Sequence, residues 1–72
     1  MRIMLNKPNT PTVGIAKLQV LAVLQDKAHS WNEIQNITHF NDDYLGIVLG
    51  ELMIQRLIRT GSKNNVRLYW LV

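Results

Sequence analysis

Seventy-two residues are enough for one domain, and a chain of that size buries only roughly 60% of the surface its unfolded form exposes, so every apolar position counts. The absence of Cys excludes disulfide and zinc-thiolate stapling, no apolar run reaches the roughly 20 residues of a membrane helix, and Met1 to Asn6 is too short for a signal peptide; a cytoplasmic protein held by packing is expected. Lys and Arg total 8 against 5 Asp and Glu, a net charge of +3 that suits a polyanion binder without requiring one.

In chain order, residues 1–12 read as an N-terminal arm, because Asn6 to Thr12 holds both prolines and several turn formers behind the apolar Ile3-Met4-Leu5 start. A first helix is expected over about Val13 to Lys27. Ile15, Leu18, Leu21 and Ala22 share one face at helical spacing, while Ala16, Val20, Val23 and Leu24 share the other. Only one face can meet so small a core, and the first is the expected one. The hairpin, the Ile3-Met4-Leu5 segment or a second subunit would cover what remains.

The second helix opens at Ser30-Trp31-Asn32-Glu33, a capping box in which hydroxyl and carboxylate satisfy backbone amides reciprocally. It should break near Thr38-His39-Phe40, with Phe40 buried in the turn and Trp31 covering the junction with the first helix. Asn41 then caps a third helix, whose positive N-terminal end Asp42 and Asp43 favour. Leu45, Val48, Leu49, Leu52 and Met53 form its inward stripe, and the pattern fades by Gln55 or Arg56. With about 100° per residue, Asp43, Tyr44, Ile47, Gly50, Glu51 and Ile54 turn outward.

Leu57-Ile58-Arg59 and Val66 to Val72 have strand composition, and Thr60 to Asn65 between them is turn chemistry. Alternation sets Val66, Leu68 and Trp70 on one face and Arg67, Tyr69 and Leu71 on the other. Trp70 is expected in the core and Tyr69 at the surface.

The capped second helix, the Leu49-x-x-Leu52 spacing running into Leu57-Ile58-Arg59, and the polar loop before Arg67-Leu68-Tyr69-Trp70 resemble the winged helix-turn-helix superfamily over residues 13–72. That resemblance implies a mainly α fold with a small β-hairpin, three helices followed by a C-terminal wing. It also implies a DNA-binding transcription regulator whose third helix enters the major groove while the wing meets the adjacent backbone. On this chain those places are Asn41 and Tyr44 on the third helix, and Arg59, Lys63, Asn64, Asn65 and Arg67 on the wing.

The third helix departs from the family pattern, since its outward residues include no cation to release counterions from phosphate. Two readings follow. In one, the wing cations, with Arg2 and Lys7, hold double-stranded DNA, and a homodimer doubles the contacts. In the other, the acidic and apolar face around Ile47 and Ile54 docks on a protein partner. Gly46 and Gly50 mark a close approach, either by such a partner or by the second helix. His29 and His39 match no metal-ligand spacing, and neither a nucleophile with its base nor a Gly-rich phosphate loop is present. The expectation is therefore no enzyme, no metal and no cofactor.

Overall fold

The computed structural model describes residues 12–72. The expected N-terminal arm, with Arg2, Lys7 and the Ile3-Met4-Leu5 cover, lies outside the described residues. The order is α1 (Val13–Val23), β1 (His29–Ser30), α2 (Trp31–Thr38), α3 (Asp42–Ile54), β2 (Ile58–Lys63) and β3 (Val66–Leu71). The strands form one antiparallel sheet in the order β1-β3-β2.

Thr12 caps α1 by accepting from the backbone N–H of Ile15 at 3.3 Å. The helix stops at Val23 rather than Lys27: the Gln25 amide reaches Ala22 at 3.2 Å instead of the carbonyl four residues back, tightening the last turn. The face it buries is the one not expected. Ala16, Val20 and Leu24 enter the core, while Ile15 and Leu18 remain 53% and 67% exposed. An ion pair from Lys17 to Glu51 at 2.9 Å ties α1 to α3, and the residues three and seven positions after Lys17 necessarily turn the same way.

At α2 the capping box is complete. Ser30 Oγ accepts from the Glu33 N–H at 3.2 Å, and Glu33 Oε1 accepts from the Ser30 N–H at 3.0 Å. Because Ser30 also pairs with Leu68 in the sheet, this cap fixes the start of α2 against β3. Ser30→Ala should cost about 1 kcal/mol, lowering the melting temperature by roughly 4–8 °C in a domain of this size. Thermal melts followed by circular dichroism at 222 nm would check this; an unchanged midpoint would mean the cap contributes nothing.

The turn from α2 to α3 passes through His39 at φ 64°, and Phe40 buries beyond it as expected, edge-on to Tyr44 at 5.1 Å. Asn41 Oδ1 accepts from the Tyr44 N–H at 2.8 Å and starts α3. Leu45, Val48, Leu49 and Leu52 are fully buried, whereas Met53 is left exposed at the helix end. α3 closes with Arg56 at φ 61°. The Leu57 amide bonds Leu52 and the Arg56 amide bonds Met53, each at 3.0 Å, a Schellman arrangement that turns the chain sharply into β2.

β2 runs to Lys63, so the turn is Asn64-Asn65 alone rather than the six residues expected. Both asparagines have positive φ, 54° and 66°, which suits a two-residue turn whose twist matches the ribbon and which Asn tolerates. This turn sets the register: Ile58 opposite Leu71, Arg59 opposite Trp70, Thr60 opposite Tyr69, Lys63 opposite Val66. Opposite residues share a face. Ile58 is the buried apolar side chain of β2, and it takes Tyr69 inward with it. Tyr69 is therefore 8% exposed and Trp70 36%, the reverse of the expectation. β1, expected as loop, completes the sheet by pairing His29 with Tyr69.

Candidate functional site

The residues expected to meet DNA lie on two elements. At the N-cap of α3, Asn41 uses one lone pair of Oδ1 on the Tyr44 N–H and keeps its amide donors for an outside partner. Tyr44 is half-buried against Phe40. No Lys or Arg occurs from Asp42 to Ile54, but the acidity of this helix is largely engaged. Asp42 Oδ1 accepts from Gln35 Nε2 at 2.7 Å and from Trp31 Nε1 at 3.3 Å, and Glu51, expected outward, pairs with Lys17. Asp43 alone among the α3 carboxylates has no partner among the described residues.

Trp31 thus joins the starts of α2 and α3 and lies 6.5 Å from the Tyr69 ring. A Cβ at Gly46 would meet its ring at an ordinary 3.7 Å, and one at Gly50 would meet nothing within 4 Å. Neither glycine is needed for a close helix approach within the described residues.

The β2–β3 ribbon carries Arg59, Lys63, Asn64, Asn65 and Arg67, all exposed. The register divides them: Arg59 and Lys63 share the solvent face with Trp70, while Arg67 lies with Ser62 and Tyr69 on the other. Arg56, Arg59, Lys63 and Arg67 form no ion pair among the described residues, where the ion pairs are those of Lys17 and His29. No Asp or Glu follows Glu51, so the ribbon is uniformly positive.

His29 is buried under β3 with two carboxylates at its ring, Asp26 Oδ1 3.1 Å from Nε2 and Glu33 Oε1 3.3 Å from Nδ1. Among the described residues no group of three or more such side chains is placed to hold a metal ion; His39 sits at the opposite end of α2. The cluster instead fastens the α1–α2 loop to the start of α2. Its carboxyls titrate below their ordinary range, Asp26 through the hydrogen bond from His29 and Glu33 chiefly through the Ser30 backbone N–H.

A carboxyl held low by the fold stabilises it above the ordinary carboxylate range and loses that contribution as pH falls through its lowered value. Wild type should therefore be more stable than Glu33→Gln at neutral pH, with the difference in melting temperature shrinking toward zero below about pH 4. A difference that grows on acidification would contradict this assignment.

The exposed side of α1, Ile15, Leu18, Gln19 and Ala22, bears no charge. Next to it lies a depression of about 280 Å³ lined by Gln19, Ala22, Val23, Ile37 and Thr38. No helix among the described residues is long and apolar enough to cross a membrane. Comparison with family models, with curated proteins and with solved structures returned no match for this chain.

Proposed function

We propose that this chain is a winged helix-turn-helix domain that binds double-stranded DNA, with the β2–β3 ribbon as its wing, and that it acts as a small cytoplasmic transcription regulator. The observation that carries this reading is the division of charge: the cations from Arg56 onward are unpaired among the described residues, while the carboxylates of α2 and α3, Asp43 excepted, are engaged within the fold. A ribbon entering a groove edge-on meets a backbone on each side. The split of Arg59 and Lys63 from Arg67 then puts positive charge against both strands.

In this reading Asn64 and Asn65 lead at the tip, and Asn41 and Tyr44 at the start of α3 add polar contacts. α3 itself, without a cation, seats shallowly. A homodimer through the charge-free face of α1 would double the phosphate contacts, and such a face can meet its own copy without like-charge repulsion. The test is an NMR titration of the full chain with a mixed-sequence duplex at low salt. Shifts at residues 59–67 support the reading, and no shift anywhere on α3 or the ribbon rejects it.

A second reading is favoured by the 53% and 80% exposure of Ile47 and Ile54. These residues would dock α3 on a protein partner. It predicts that Ile47→Asp abolishes a protein complex while leaving duplex titrations unchanged.

A further inference from the structure

The open face of the sheet combines an aromatic ring with cations and, among the described residues of β2 and β3, no Asp or Glu side chain. Register places Trp70, Leu68 and Val66 of β3 there beside Arg59, Gly61 and Lys63 of β2. Of the five aromatic residues, Trp31 pairs with Tyr69 and Phe40 with Tyr44. Trp70 alone has no ring, guanidinium or hydrogen-bond partner among the described residues, and it is 36% exposed.

Gly61 explains how the indole is held. A Cβ there would stand 3.0 Å from Trp70 Cη2 and 3.6 Å from Cζ3, so the six-membered ring occupies the space that any larger residue would fill. The ring thus rests against the ribbon instead of projecting into water. Arg59 lies directly across from it, and Lys63 is four residues further along β2, roughly 13 Å at strand spacing.

We infer that this face is a stacking platform for an unpaired nucleobase, with Trp70 under the base and Arg59 and Lys63 on the phosphates to either side. A partner matching aromatic and cationic groups in alternation must itself alternate flat rings with anions, which is the chemistry of single-stranded nucleic acid. The inference rests on the nucleic-acid reading above for its class of partner and shares Arg59 and Lys63 with it, but what is new is Trp70, to which the duplex reading assigns no contact.

The test uses the full chain and three labelled probes: oligothymidylate, an abasic strand of equal length and charge, and a blunt duplex. Binding is read by fluorescence anisotropy and the two indole N–H signals by NMR. Oligothymidylate should bind about ten-fold or more tightly than the abasic strand and shift the Trp70 indole signal while leaving that of Trp31 in place. Trp70→Ala should remove that preference and leave duplex affinity within about two-fold, while Trp70→Phe keeps most of it.

The comparison of thymidylate with abasic strand in the wild-type chain needs no variant, so a fold defect in Trp70→Ala does not obstruct it. Equal affinity for the two strands, an unmoved Trp70 signal, or equal losses of duplex and thymidylate binding in a folded Trp70→Ala protein would overturn the inference. Duplex binding without thymidylate binding overturns it and leaves the winged-helix reading standing. Thymidylate binding without duplex binding does the reverse.

Discussion

Leu45→Ala should remove a large part of this protein's stability and lower its melting midpoint more than any surface substitution does. Leu45 is fully buried where α3 meets the rest of the core, among Val48, Leu49, Ile34 and Val20, all of them at 1% exposure or less. Removing the side chain loses its transfer free energy and leaves a cavity that such a small core cannot collapse to fill, about 2–5 kcal/mol in comparable sites. At about 0.05–0.15 kcal/mol per residue the whole chain holds roughly 4–11 kcal/mol. One substitution therefore removes a large part of the total, and the midpoint should fall by roughly 10–30 °C.

Two controls separate cavity from chemistry. Leu45→Met keeps the volume and should cost under about 1.5 kcal/mol. Leu18→Ala, on the exposed side of α1, should change stability by no more than about 0.5 kcal/mol. If Leu18→Ala were as damaging as Leu45→Ala, the outer face of α1 would be buried in solution, as in the homodimer proposed above. Sedimentation of the wild-type chain would then have to show a dimer.

What the sequence made legible was what is decided locally. Ser30 with Glu33, Asn41 before two aspartates, and the stripe Leu45-Val48-Leu49-Leu52 each contain their own reason within a few residues, and each is found where expected. The choices that needed a partner element were not legible. α1 has two apolar faces of similar content, and the one that is buried is the one that packs with the core residues of α2 and α3, which lie outside its own sequence. β1 is two residues long and exists only because β3 lies beside it.

The exchange of Tyr69 for Trp70 is different, because a local signal was present. Had Asn64-Asn65 been read as the whole turn, pairing outward from Lys63 and Val66 would have set Ile58 against Leu71 and Thr60 against Tyr69, fixing the faces. The candidate site inherits the same division. Its positive charge could be read from composition, but the split of Arg59 and Lys63 from Arg67 could not be seen without the register.

Affinity for a mixed-sequence duplex should fall steeply with salt, by an amount that counts the cations in contact. Each phosphate neutralised contributes about 0.9 to the slope of log affinity against log salt. Arg59, Lys63 and Arg67 together give a slope near −2.7 per protomer, or a loss of roughly 40-fold between 50 and 200 mM. Lys63→Ala with Arg67→Ala should cut the slope to about −0.9 and the loss to roughly four-fold. Because a homodimer presents both wings to one duplex, it would double the wild-type slope, so the same measurement reports the number of subunits. Asp43 tests how near α3 comes: with no partner to lose among the described residues, Asp43→Asn should raise affinity if α3 borders the duplex and change nothing if the ribbon binds alone. A slope unaltered by the double substitution would remove the ribbon from the interface, and with it the reason for assigning DNA to this fold.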